Sequence, residues 1–190
     1  MPCNNCGATP ASMMRCSVCL SVHYCNADCQ RNDWSNHKAS CTTIGAKALI
    51  QAVKNEEMAE IKRLIKTHRV VKASVDNSTA LFAAAGNGNA DIVRMLLEAG
   101  ANVNYQASDG FTALMMAVRD GHVEVAQILV EAGANTQAGN FVGLSAITMA
   151  EMMASGGGRT VIMEGQTPEQ ARAATMAKGR ALVEILNRGY

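Results

Sequence analysis

Seven cysteines and one histidine near the start of this chain have the types and spacings of metal ligands. They read Cys3-x2-Cys6, Cys16-x2-Cys19, Cys25-x3-Cys29 and His37-x3-Cys41, and no cysteine occurs in residues 42–190. Such spacings let two side chains converge on one ion from a turn or from one face of a helix. Eight donors fill two tetrahedral zinc sites, whereas seven thiols cannot pair as disulfides without leaving one over. A site with four protein donors keeps no position open for water, so zinc held in this way organises structure and is closed to hydrolytic chemistry. His23 lies two residues before Cys25, but both sites fill without it, and it reads as a surface histidine.

The elements that must position these donors are small. A segment of about 40 residues seldom builds a sufficient core unaided, and the apolar residues between the ligands are few: Val18, Val22 and Tyr24. Metal binding would therefore be part of the folding free energy. From Cys25 to His37 there is no Pro or Gly, and Cys25/Cys29, Gln30/Trp34 and His37/Cys41 are each four apart. In a helix such pairs share a face, which predicts two short helical turns presenting ligands inward. A short link without Pro, around Thr42 to Gly45, follows.

In their order, Cys-x2-Cys, Cys-Ser-x-Cys, Tyr-Cys-x3-Cys-Gln-x3-Trp and His-x3-Cys resemble a MYND-type zinc finger over residues 3–41, with every ligand position filled. The resemblance implies interleaved sites: Cys3, Cys6, Cys25 and Cys29 on one zinc, and Cys16, Cys19, His37 and Cys41 on the other. Spacing alone equally allows sequential pairing. The resemblance further implies a shallow groove for short proline-rich peptides, at Ser17, Gln30 and Trp34. Trp34 reads equally as packing between the zinc subsites, and one indole serves both uses.

The remainder is repetitive. Asp76 and Asp109, Thr79 and Thr112, Gly88 and Gly121, and Gly100 and Gly133 are each 33 apart, as are Leu81, Leu114 and Ile147 in succession. That period and the Thr-x-Leu-x-x-Ala and Leu-Leu/Val-x-x-Gly-Ala-Asn strings resemble ankyrin repeats. Thr79 and Thr112 are expected to cap the first helix of each repeat, Gly88 and Gly121 to turn the chain back, and Asp109-Gly110 to form a hairpin tip. A degenerate, charged capping repeat fits residues 44–75. Full repeats fit 76–108 and 109–141, and a fourth fits 142–190 with an insertion near 155–177. The glycine-rich start of the insertion, Ser155 to Arg159, lacks the Gly-x4-Gly-Lys-Ser/Thr pattern of a phosphate loop, so it reads as a loop that breaks the first helix of that repeat. Thr167-Pro168-Glu169-Gln170 starts a further helix.

The expected fold is therefore mostly α: a two-zinc finger at 1–43 joined to an α-solenoid of about four repeats at 44–190. Aromatic residues make up only 4% of the chain, which predicts an aliphatic core. Formal net charge is +1; seven thiolates and two Zn2+ turn it to −2. Neither value suits non-specific nucleic-acid binding. No apolar leader or span of about 18 apolar residues is present, and thiols with metal spacing fit a reducing compartment, cytoplasm or nucleus.

Function follows from the two halves. MYND-type fingers also accompany methyltransferase SET domains and prolyl hydroxylases, but repeats occupy residues 44–190, and no catalytic site is expected. The reading is a zinc-dependent protein-interaction adaptor whose finger takes peptides and whose repeats take a second protein. The face expected to do so comprises Asp76, Ser78, Asn87, Asp109, Phe111, Arg119, Asp120, Phe141 and Val142, with Ser108, Met152 and Met153 beside it. Phe111, Phe141 and Val142 are conspicuous because a hairpin tip has no core to bury them in. The alternative is a zinc-finger transcriptional co-regulator contacting nucleic acid or chromatin proteins.

Overall fold

The computed structural model describes residues 2–6, 14–16, 21–66, 68–76, 78–157 and 166–188, without the side chains of 68 and 69. Two short strands, β1 (Met14–Arg15) and β2 (His23–Tyr24), pair antiparallel with Met14 opposite Tyr24. Nine helices follow among the described residues. They are α1 (Ala27–Lys54), α2 (Met58–Leu64), α3 (His68–Lys72), α4 (Ala80–Asn87), α5 (Ala90–Glu98), α6 (Ala113–Asp120), α7 (Val123–Glu131), α8 (Ala146–Ala154) and α9 (Pro168–Arg188).

Helix α1 departs from the expected organisation. In place of two short turns and a link, one helix of 28 residues runs from the finger into the first repeat. No helix breaker interrupts it except Gly45, which is buried. Burial against partners on both halves outweighs the modest helix propensity of its Asn, Ser and Thr residues. The side chains of Thr42 and Thr43 donate back to the Lys38 and Ala39 carbonyls, 2.9 and 3.2 Å away, and so join the helix.

The rest is a stack of helix pairs. The last turns of α1 pack on α4, α4 on α6 and α6 on α8, while α5, α7 and α9 form the second row. The core is aliphatic, as composition requires, with Leu49, Leu81, Ile92, Leu96, Leu114, Leu129, Leu182 and Leu186 fully buried. The Thr79 and Thr112 hydroxyls accept the N–H groups of Phe82 and Met115 at 3.1 and 3.2 Å, which starts the first helix of each repeat. Gly88 and Gly121 close those helices with φ of +77° and +73°, where a side chain is strained. Asparagine and histidine side chains tie successive units together. Asn87 donates to the Val53 carbonyl at 3.3 Å, His122 Nε2 lies 3.0 Å from the Gly86 carbonyl oxygen, and Asn104 donates to the Gly133 carbonyl at 3.1 Å.

The fourth unit corrects one expectation. The glycine-rich stretch does not break its first helix: α8 has nine residues, as many as α5 or α7, before Ser155 and Gly156 end it. Part of the extra chain instead lengthens the second helix, α9, to 21 residues, and the rest lies between α8 and α9. Its start is the capping box read from the sequence, with Thr167 N–H donating to Gln170 Oε1 at 2.9 Å and Gln170 N–H to Thr167 Oγ1 at 3.2 Å. Helix α9 crosses α8 closely at Gly179, where an added Cβ would lie 2.3 Å from the Ala154 backbone nitrogen.

Helix propensity alone would make Gly179→Ala stabilising by about 1 kcal/mol. The contact with fixed backbone atoms reverses the sign, and a loss of about 1–3 kcal/mol is expected from overpacking. Urea unfolding of the zinc-loaded protein measures it; a raised midpoint would refute the close crossing.

Candidate metal centres and binding surfaces

Pairing of β1 with β2 carries Cys16 and Cys25 to opposite ends of the hairpin, where they join different donor clusters. The knuckle at Cys3–Cys6 is tied to the same strand: Asn4 N–H donates to the His23 carbonyl at 2.9 Å, and His23 N–H to Asn4 Oδ1 at 3.4 Å. Asn26 then caps α1, its Oδ1 accepting Cys29 N–H at 2.8 Å, which fixes Cys29 in the first turn. His37 and Cys41, one turn apart on α1, face back toward Cys16. The Asn26 cap and the Asn4 tie escaped the sequence reading, although Asn immediately before a Pro-free, Gly-free run is a helix-start signal.

Two clusters result. The donor atoms of Cys3, Cys6, Cys25 and Cys29 all lie within 4.8 Å of one another, and so do those of Cys16, His37 and Cys41. The structure thus brings the first cysteine pair to the third, and Cys16 to the fourth pair. Cys19 lies outside the described residues. For Zn–S bonds of about 2.3 Å, a tetrahedron has S···S edges of about 3.8 Å. The sulfurs of Cys6 and Cys25 are 3.7 Å apart, those of Cys6 and Cys29 3.8 Å, and those of Cys16 and Cys41 3.5 Å. Cys25 and Cys29 are closer, at 3.1 Å.

The titration of these thiols shows why a cation suits them. A hydrogen bond from the Cys6 backbone holds the Cys3 thiol down at about 6, against the opposing effect of burial. Hydrogen bonding to the Cys29 sulfur, with burial second, pushes Cys25 up to about 12. One thiolate is readily accommodated, but the next is repelled by it. A divalent ion among the four removes that repulsion and coordinates all four as thiolates. Cys25 N–H points at Cys3 Sγ, 3.4 Å away, the kind of contact that orients a ligand and tempers its charge. Both clusters fit zinc in donor type and proximity, the first with four donors and the second with three among the described residues.

The second cluster has the finger's small core around it. Tyr24 is fully buried and donates its hydroxyl to Asp33 Oδ2 at 2.8 Å. The His37 ring is flanked edge-on by Tyr24 and Trp34, with centroids 6.2 and 6.1 Å away. The indole has one packed side and one open side. It packs on a ligand, and at 39% exposure it also walls a shallow hollow of about 300 Å³ with Ala27, Gln30 and Arg31. Arg31 lines this hollow and pairs with Asp28. Ser17 lies outside the described residues.

Along the repeats the expected face divides. Phe141 and Val142 project from their tip with 82% and 76% exposure. The buried Asn140 holds them out: its Oδ1 accepts Val142 N–H at 3.1 Å and Leu144 N–H at 2.9 Å. Phe111 does not join them, because it is partly buried against the core. Met152 is exposed, but Met153 is buried. Asp76 sits at φ +49° beside Lys47, 3.6 Å away, and Ser78 lines a hollow with Lys47, Gln51 and Lys54. Asp109 is exposed at the neighbouring tip and receives Phe111 N–H. Arg119 and Asp120 pair through two hydrogen bonds of 3.0 and 2.8 Å, which hold the guanidinium pKa above its ordinary range. Asn87 is exposed, bonds the end of α1 and lines a hollow with Ser78, Arg119 and Asp120.

Comparison with known proteins agrees with this division. The family profile of the MYND finger matches residues 3–41, and that of ankyrin repeats matches 49–140 in three copies. The chain is a MYND finger followed by ankyrin repeats, both of them protein-interaction modules. SET domain-containing protein 14 of Caenorhabditis elegans is 43% identical over 42 residues, 22% of this chain and 10% of that protein. N-lysine methyltransferase SMYD2-A of Xenopus laevis is 38% identical over 42 residues, with the same coverage of both chains. SET domain and MYND-type zinc finger protein 6 of Schizosaccharomyces pombe is 33% identical over 63 residues, 33% of this chain and 12% of that protein. The chain thus spans about a tenth of these relatives, and the methyltransferases match it only in the finger. No helix among the described residues is long and apolar enough to cross a membrane.

Metal analysis of the purified protein is expected to give two zincs per chain. Cys25→Ser should lower this to about one, because three of the four donors of its cluster no longer suffice at micromolar zinc. His23→Ala should leave it at two; a loss there would show that the imidazole is a ligand.

Proposed function

We propose that the protein is a zinc-dependent interaction adaptor with two binding surfaces. The observation that carries the reading is the hollow at Gln30, Arg31 and Trp34, open to solvent and built directly on the helix that bears His37. A flat aromatic wall beside a polar amide suits a polyproline-type peptide: the indole packs on proline rings, and the Gln30 side chain meets the unpaired carbonyls of that conformation. Ser17 is assigned to the same groove. Two zincs, one on Cys3, Cys6, Cys25 and Cys29 and the other on Cys16, Cys19, His37 and Cys41, hold the wall in place and take no part in chemistry.

The second surface is the ankyrin face. Its anchors are Phe141 and Val142, with Asp76, Ser78, Asp109, Arg119 and Asp120 as polar surroundings. Two large apolar side chains on a tip fixed by a buried asparagine are pre-ordered, so a partner protein that covers them loses little entropy in doing so. The adaptor reading places the protein in the cytoplasm or nucleus, where thiols stay reduced.

A proline-rich peptide array, followed by titration of the best sequence, tests the first surface. Trp34→Ala should weaken binding by at least about tenfold, the usual scale for losing a buried aromatic anchor, at unchanged zinc content. Equal binding by this variant would refute the groove.

A further inference from the structure

Helix α1 belongs to two hydrophobic cores at once. Cys41 and Ile44 pack in the finger cluster with Cys3, Cys16 and Tyr24. One turn later Ala48 and Leu49 pack in the core of the repeats, with Ile50 and Val53 beyond. Gly45 and Ala46, between the two clusters, are buried as well. No unstructured residue separates the last finger ligand from the first repeat residue.

We propose that metal binding in the finger and folding of the first repeat are one coupled equilibrium, transmitted through α1. The N-terminal half of this helix, Ala27 to Thr43, is rich in Asn, Asp, Ser and Thr and poor in strong helix formers. A helix of that composition and length is marginal in isolation. It is held by Cys29, His37 and Cys41, whose convergence depends on zinc. Loss of the ion frees these anchors, and the helix frays from its start. Ile44 then loses Tyr24 and Cys41 as neighbours, and residues 44–54 become a short helix with a new, unanchored beginning. Within the first repeat this segment meets only the short α2 and α3, of seven and five residues, and beyond them α4 of the next repeat.

One feature of the sequence works against the coupling. Thr42 and Thr43, now bonded back along α1, could turn over and cap a shortened helix beginning at Ile44. The size of the coupling is set by burial of Ile44 against re-capping at Thr43. Burial is the larger effect, because Ile44 packs on the finger cluster and Gly45 and Ala46 are buried next to it on the same helix. A consequence, which rests on the adaptor reading, is that Lys47, Gln51 and Lys54, the α1 side of the hollow facing Asp76 and Ser78, hold their shape only in the zinc-loaded protein.

Hydrogen–deuterium exchange of the whole chain, with zinc bound and after its removal by a chelator, tests the coupling without any partner. Protection of amides 44–54 should fall by at least about tenfold on zinc removal while amides 113–131 stay unchanged. By linkage, Leu49→Ala in the repeat core should weaken zinc binding by a comparable factor, read by competition with a chromophoric chelator. Protection of 44–54 within about twofold in both states would overturn the proposal in favour of re-capping. Loss over 113–131 as well would overturn its confinement to the first repeat, and zinc affinity unaltered by Leu49→Ala would refute the linkage.

Discussion

Thiolate sulfurs repel one another at distances near 4 Å unless a cation lies among them, and that electrostatic constraint shapes the first quarter of this protein. The hairpin, the Asn4 tie and the Asn26 cap converge on two donor clusters, in which the Cys6–Cys25, Cys6–Cys29 and Cys16–Cys41 separations are close to tetrahedral edges. Among the described residues, Tyr24, the His37 ring and the side chains of Cys3, Cys16 and Cys41 form a small core, with Val22, Cys25, Cys29 and Ile44 against it. Helix α1 takes its direction from these anchors and hands it to the repeats.

Beyond residue 44 the stabilising logic changes from charge to surface burial. Each helix pair leaves an aliphatic face that only the next pair covers, so stability is shared between neighbours. Polar side chains set the register: Thr79, Thr112 and Ser145 start helices, and Asn87, His122 and Asn104 bridge from one unit to the next. The last pair keeps the same pattern while accommodating an insertion, because part of it lengthens α9, which packs closely on α8. Gly179 permits that crossing.

The two proposed binding surfaces follow from the same arrangement. Trp34 is exposed on one side because its other side packs against a metal ligand. Phe141 and Val142 are exposed because Asn140, buried below them, uses its side-chain oxygen to fix their turn. In both places a costly apolar exposure is kept rigid by a polar or metal-bound residue beneath it, which is the form expected of a recognition site.

Sequence by itself determined the donor set, the repeat period, the threonine caps, the turning glycines and the α9 capping box, because each depends on residue type at short spacing. Local chemistry of that kind needs no knowledge of distant chain. Tertiary structure decided the rest. Continuity of α1 through Thr42–Gly45 depends on burial from two sides, which no local propensity encodes. Convergence of the first cysteine pair on the third is a property of the hairpin. Phe111 and Phe141, alike in sequence as aromatics near hairpin tips, part company because one packs against the core beside its helix and the other is carried past it by the Asn140 turn.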